Sequence, residues 1–256
     1  MITSIMKSNK NKLENILAVL AALVLWQVAA MLLSQEFLLA SPVSVIKKLL
    51  TLFSDGGVFS ALFYSFSRII GGFFIGLAAG VVLAIFASRS RLVENLLRPY
   101  MVTVKTVPIA SFIVIALIWL SSSRLSVFIS FLIVLPVIYN NILNGIKNTD
   151  KKMTEMAEVF SLPWRKKFFY ITLPQIKPFL RSGCQTAVGF AFKSGIAAEI
   201  IGIPGGSLGE KLYSAKVHLE TAELFAWTVL IVVASVLCER LFIALLDLVF
   251  KGVEKR

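Results

Sequence analysis

Charge is scarce in this chain: 16% of its 256 residues are charged, where soluble domains carry about 25%. Hydrophobic residues make up 57% of the sequence, and the mean hydropathy is +0.85. That balance excludes an ordinary soluble domain and reads as a polytopic membrane protein. Cysteine is nearly absent. Cys184 and Cys238 lie far apart in apolar segments, with no CxxC and no Cys/His ligand spacing, which excludes a disulfide framework and a structural zinc site. The one histidine, His218, sits in a loop and reads as an ordinary residue. There is no HExxH, no GxSxG and no Asp or Glu pair at membrane depth, so an intramembrane enzyme lacks its nucleophile, base or metal. No GxxxxGK[ST] phosphate loop is present either, so the chain does not hydrolyse ATP itself. The formal charge of +12 does not indicate nucleic acid, because the cations fall in particular loops rather than on one compact domain.

What is there is a series of apolar segments with one polar interruption, residues 150–183. Its first pattern, from near Asp150 to Phe160, puts Met153, Met156, Ala157 and Phe160 on one helical face, away from Lys152, Glu155 and Glu158. Thr149 or Asp150 is available as N-cap. Ser161 and Pro163 break this helix, and Pro163 is placed to start the next. The second pattern carries Trp164, Phe168 and Ile171 beside Arg165, Lys166 and Lys167. Leu173-Pro174 is expected to end it, since proline disfavours helix in the residue before it. A hairpin anchored by Pro163 and Pro174 would convert movement of a soluble partner into movement of the flanking spans.

Before the interruption, residues 13–33 are long enough to span and read as a retained first helix. Residues 35–60 form a connector with a short interfacial helix starting at Ser41-Pro42. The next span, 61–88, carries Gly72, Gly76 and Gly80 on one face, which allows close helix approach. Arg68 at its start is expected to snorkel or to cap a polar vestibule. A basic loop from Arg89 to Pro99 leads to a third span over 101–120, and a fourth covers 125–143. After the interruption come a fifth span over 178–203, a polar connector to Glu220, a sixth span over 222–250 and a basic tail. With the amino terminus inside, inner segments hold eighteen lysines and arginines and outer segments five. Lysine and arginine bias therefore puts both termini and the interruption in the cytoplasm.

Glu155-Met156-Ala157, then Ser161, then Ile171-x-Leu173-Pro174 resembles the EAA loop of binding-protein-dependent ABC importer permeases. The family pattern is Glu-Ala-Ala, a Gly four residues after the last Ala, and a Leu-Pro further on. Met156 replaces the first Ala and Ser161 the Gly, so the turn forms without glycine's freedom at positive φ. Ser67-Arg68-x-x-x-Gly72-Phe73, Arg98-Pro99, Pro108-Ile109 and Ala198-Glu199-x-Ile201-Gly202 resemble the nitrate, sulfonate and taurine branch. The resemblance implies an all-α membrane protein with six transmembrane helices and a five-helix type I importer core. It sets residues 1–60 apart as an N-terminal helix and interfacial segment, with the core in 61–256 and a coupling loop about 146–177. It also implies a bacterial plasma (inner) membrane location, a second permease copy or paralogue, and an extracytoplasmic substrate-binding protein. Cytoplasmic ATPase subunits would hold ATP and magnesium, and this chain no cofactor. Glu155, Met156, Ala157, Glu158, Phe160, Ser161, Pro163, Trp164, Leu173 and Pro174 would couple to the ATPase. The implied cargo is small and anionic, such as nitrate, a sulfonate or taurine; membrane lipid surrounds the chain and nucleic acid has no place.

Within the fifth span, Gln185, Gly189 and Lys193 are spaced by four and form a polar stripe with Thr186 alongside. Glu199 is six residues beyond Lys193, about 240° around at ~100° per residue, and cannot partner it within the helix. An unpaired ammonium in hydrocarbon costs at least ~2.5–3.5 kcal/mol. Lys193 is therefore expected to face a cavity, a group on another helix, or an anion in transit. Glu199 is expected to tie the outer end of this helix to a neighbour. These four residues and Arg68 are the pathway candidates. The rival class is an ion-coupled secondary transporter or channel working without an ATPase, served by Lys193, Glu199, Glu239, Arg240 and Asp247. Co-purification with an ATPase separates the two.

Overall fold

Every regular element in the computed structural model is helical, over the described residues 2–33, 35–54 and 56–254. Lys255 and Arg256 of the basic tail lie outside the described residues. The helices are α1 (Ile2–Leu33), α2 (Pro42–Ser54), α3 (Gly57–Arg89), α4 (Arg91–Thr106), α5 (Ile109–Ala116) and α6 (Ser122–Lys147). They continue as α7 (Lys151–Val159), α8 (Trp164–Lys167) with a π turn (Phe168–Thr172), α9 (Leu173–Gly202), α10 (Leu208–Val217) and α11 (Thr221–Glu254). Three are long and apolar enough to cross a membrane: Gly57–Arg89, Ser122–Lys147 and Thr221–Gly252, or four spans if the bent pair α4–α5 counts as one. Leu17–Leu33 is a shorter apolar helix. At 30 residues α9 is long enough to cross, but Gln185, Lys193 and Glu199 lower its apolarity.

The chain divides into two units, one of residues 1–60 with 211–230, the other of 61–210 with 231–256. In the first, Ser41 caps α2 by accepting from Ser44 N–H at 3.1 Å, as the Ser41-Pro42 start predicts. The Trp26 indole N–H donates to the Ala40 carbonyl at 3.1 Å, and its ring lies 5.4 Å from that of Phe225. Lys48 pairs with Glu220 at 3.1 Å and Glu223 at 2.9 Å. The Glu223 carboxylate holds the Lys48 ammonium above the ordinary lysine range.

In the second unit, α6 and α9 pack along each other extensively. Ile113, Ala116, Leu125, Ile129 and Ala198 form a buried cluster of α5, α6 and α9. The four-residue glycine spacing of α3 serves contact with α6. A Cβ at Gly72 would lie 2.3 Å from the Val127 carbonyl oxygen, and one at Gly76 or Gly80 within 2.8 or 2.9 Å of the Cβ of Val134 or Ile138. Backbone approach of this kind leaves no room for a side chain.

Four sequence expectations are corrected here. The region 89–99 is not a loop: after Ser90 the chain is already helical from Arg91. The third span is not one helix over 101–120, because α4 and α5 meet at a bend of 102°. Pro108 forces Val107 out of the helical region, to φ −73° and ψ 134°. The second helix of the interruption does not end at Leu173-Pro174. Leu173 stays helical, with φ −62° and ψ −45°, and the π turn before it widens the backbone where Pro174 offers no N–H. The polar connector before Glu220 is largely α10, which starts with Ser207 accepting from Glu210 N–H at 3.0 Å and Glu210 accepting from Gly206 N–H at 2.6 Å. That reciprocity is a capping box with the glutamate reaching one residue further back.

Candidate coupling surface and intramembrane polar sites

Asp150 starts α7 by accepting from Lys152 N–H at 2.9 Å, and its own N–H donates to Gln175 Oε1 at 2.7 Å. The loop is thereby tied to the first turn of α9. At the other end, Ser161 takes φ +48°. Its N–H donates to the Glu158 carbonyl at 2.9 Å, and Leu162 N–H donates to the Ala157 carbonyl at 2.9 Å. This is a Schellman turn with serine at the residue that favours glycine. A non-glycine residue there costs roughly 1–2 kcal/mol. Ser161→Gly is accordingly expected to slow amide hydrogen exchange at Ser161 and Leu162, and Ser161→Val to speed it. Equal exchange in both variants and the parent would mean the turn carries no such strain.

The expected apolar face of α7 is divided. Ala157 is buried, whereas Met156, Val159, Phe160 and Trp164 are 50%, 81%, 71% and 73% exposed. Val159 was not legible as part of this surface, because periodicity places it between Glu155 and Met156, at the edge of the apolar face. Glu158 pairs with Lys167 at 2.8 Å and so braces α7 against α8. Glu155 is exposed and has no ion pair or hydrogen bond among the described residues. Pro163 caps α8, and Arg165 lies 5.6 Å from the Trp164 ring centroid. Leu173 and Pro174 open α9 directly below the π turn. Among the described residues the hairpin thus shows its surroundings the unpaired Glu155 carboxylate, the apolar side chains of Met153, Met156, Val159, Phe160 and Trp164, and a basic flank.

Glu199 is fully buried near the end of α9. Ser65 Oγ of α3 donates to its Oε2 at 2.6 Å, and the same Oγ accepts from Leu208 N–H at 2.9 Å. Gly209 N–H donates to Glu199 Oε2 at 3.3 Å. The carboxylate therefore accepts from the Gly209 amide in the first turn of α10, and Ser65 accepts from the Leu208 amide; negative charge at this helix start also suits the dipole. Gly209 is held against α9 so closely that a Cβ would lie 2.3 Å from that of Glu199. The Ser126 side chain also acts on this carboxylate, yet its hydroxyl and Glu199 Oε1 are buried without a well-formed hydrogen bond. Ile203, just beyond, turns the chain with φ +48°.

The remaining candidates are elsewhere. Gln185, Gly189 and Lys193 share the accessible face of α9: Gln185 and Lys193 are exposed, and a Cβ at Gly189 would meet nothing within 4 Å. Lys193 has no ion-pair partner among the described residues. Arg68 is structural in its contacts. Its Nε donates to the Ser123 carbonyl at 2.9 Å, and its guanidinium stacks 3.5 Å from the Tyr64 ring centroid.

Comparison with known proteins gives these arrangements a context. The family described as "Binding-protein-dependent transport system inner membrane component" matches residues 72–256. A permease protein of Bacillus subtilis (strain 168) named for aliphatic sulfonates transport is 27% identical over 226 residues, covering 87% of this chain and 81% of that one. The nitrate import permease protein of Synechocystis sp. is 25% identical, covering 90% and 86%. The taurine transport system permease protein of Escherichia coli (strain K12) is 26% identical, covering 84% and 80%. Among solved structures, an amino acid ABC transporter crystallised with histidines is similar at a TM-score of 0.61 and 16% identity, over 80% of this chain and 97% of that one. That likeness is one of fold.

Proposed function

This chain belongs to the family of binding-protein-dependent transport system inner membrane components, and on that premise we propose that it forms the translocation pathway for a small anion. As a multi-pass inner membrane permease it is the non-catalytic part of an ABC importer. Such a system implies an ATPase and a binding protein as partners, which removes the rival of a transporter working alone. Residues 61–256 hold the five-span core, and the apolar end of α1 adds a sixth span. Both termini and α7 lie in the cytoplasm, in line with the lysine and arginine bias. Two permease subunits pair around the pathway.

The observation that carries this reading is the α7–α8 surface. Met156, Val159, Phe160 and Trp164 are exposed on a hairpin braced by the Glu158–Lys167 pair and tied to α9 through Gln175. Apolar and aromatic anchors of this kind suit a pocket on a partner. Movement of an ATPase against the hairpin passes into α6 and α9, which enclose the core. Permeases named for sulfonates, nitrate and taurine support a small oxyanion as cargo, and Lys193, without an ion-pair partner among the described residues, supplies a cation on the accessible face of α9. The test is uptake into proteoliposomes holding the permease, its ATPase and its binding protein. Taurine, an alkanesulfonate and nitrate are expected to be the informative cargoes, with uptake dependent on ATP and on both partners.

Lys193→Gln is expected to cut anion uptake at least severalfold while ATPase association and ATP hydrolysis persist. Lys193→Arg should retain most of the uptake. Normal uptake by the Gln variant would take Lys193 out of the pathway.

A further inference from the structure

A cavity of about 200 Å³ lies between α4 and α6 and serves neither the coupling surface nor the α9 stripe. Its walls carry Arg98 and Lys105 of α4, and Tyr139, Asn140, Asn144 and Lys147 of α6. Glu94 is the one carboxylate in the lining, and Lys147 is its ion-pair partner. Arg98 and Lys105 are left without a carboxylate among the described residues. Tyr139 is only 2% exposed, and its hydroxyl is buried with no hydrogen-bond partner. A buried hydroxyl left unpaired is costly unless something fills the site, and the exposed Arg98 and Lys105 line the same cavity.

The surroundings of the cavity narrow what that is. α4 is strongly amphipathic, and Leu92, Leu96 and Tyr100, four residues apart, are 76%, 62% and 65% exposed. Arg98 and Lys105 lie on the opposite face of α4 from this apolar row, and an apolar face opposed to a basic one is the pattern of a helix lying at headgroup depth, with its apolar side among acyl chains. Anionic lipid headgroups meet basic pockets between membrane helices in this way.

We propose that the cavity between α4 and α6 binds a phosphate oxyanion, the headgroup of an anionic phospholipid, through Arg98, Lys105 and the Tyr139 hydroxyl. Its placement in the cytoplasmic leaflet rests on the orientation proposed above; the binding does not. The bound lipid would brace the bend at Pro108 against α6, the helix that leads into the coupling hairpin.

The experiment is a thermal-shift titration of the full chain in neutral detergent. The probes are dioctanoyl phosphatidylglycerol, dioctanoyl phosphatidylcholine and inorganic phosphate. Phosphatidylglycerol should stabilise the chain saturably and phosphatidylcholine should not. The R98Q/K105Q double variant should lose affinity on the order of 30-fold, as two cation contacts at an anionic headgroup require. R98K/K105R should restore it. Tyr139→Phe should melt higher than the parent without lipid, because it removes the unpaired hydroxyl, yet bind phosphatidylglycerol more weakly. Equal binding of the two lipids, or parental affinity in R98Q/K105Q, would overturn the proposal. Saturation by inorganic phosphate at the same concentrations, lost in R98Q/K105Q, would overturn the lipid assignment and leave a soluble phosphate site. Transport assays enter none of these outcomes, so the site stands or falls apart from the permease reading.

Discussion

Gly209→Ala is expected to lower the melting temperature of the purified permease by on the order of 10 °C. The added Cβ would lie 2.3 Å from the Glu199 Cβ and 2.4 Å from its carbonyl carbon. These are backbone and near-backbone atoms that cannot swing away, so the start of α10 must move off α9. That displacement breaks the Gly209 N–H bond to Glu199 and the Leu208 N–H bond to Ser65 together. Overpacking costs about 1–3 kcal/mol, and each buried donor left unpaired adds about 1–3 kcal/mol. Glu199→Ala should reach a similar loss by the opposite route, leaving the donors without their acceptor. Glu199→Gln keeps one oxygen for Ser65 and Gly209 and offers an amide N–H toward the unpartnered Ser126 hydroxyl. It should therefore melt close to the parent. Equal melting temperatures for the Ala and Gln variants would mean that the Glu199 bonds do not hold this corner together.

Glu155→Lys is expected to abolish coupled transport while the permease stays folded in the membrane. The side chain is exposed and bonds to nothing else among the described residues, so its loss costs the chain little. At an interface, reversing its sign sets a cation against whatever group of the ATPase the carboxylate meets. Like-charge juxtaposition costs several kcal/mol, which weakens docking about 30-fold or more. Glu158→Lys is the internal comparison. It breaks the pair with Lys167, but exposed pairs contribute only about 0–1 kcal/mol. Its effect on uptake should be smaller. Full uptake in Glu155→Lys would remove this residue from the coupling step.

Much of this was legible from residue order because it depends on near neighbours. The Asp150 cap, the break at Ser161 and the start of α8 after Pro163 follow from local chemistry, and the structure places them there. The glycine row of α3 was readable as a packing face because four-residue spacing needs only helix geometry. What it packs against was not, since Val127, Val134 and Ile138 lie some fifty residues away along the chain. The Glu199 corner was half legible. A buried carboxylate demands a partner, but Ser65 is 134 residues distant, and no local pattern couples it to the first turn of α10. The bend at Pro108 and the π turn before Pro174 illustrate another limit. In both places proline lacks an N–H, yet the chain breaks at one and stays helical at the other. The neighbouring packing decides between them, and that packing is tertiary. The same holds for α4, where hydropathy blurred an amphipathic helix into a loop followed by a span.

The central claim is that the α7–α8 hairpin receives the ATPase, and site-specific photocrosslinking in the assembled transporter tests it most directly. A photoreactive residue at Val159, 81% exposed on the hairpin, is compared with one at Leu50 of α2, 65% exposed. An adduct of Val159 with the ATPase subunit is expected, and none from Leu50. An ATPase that stays bound to the permease while Val159 labels only lipid or nothing would contradict that claim.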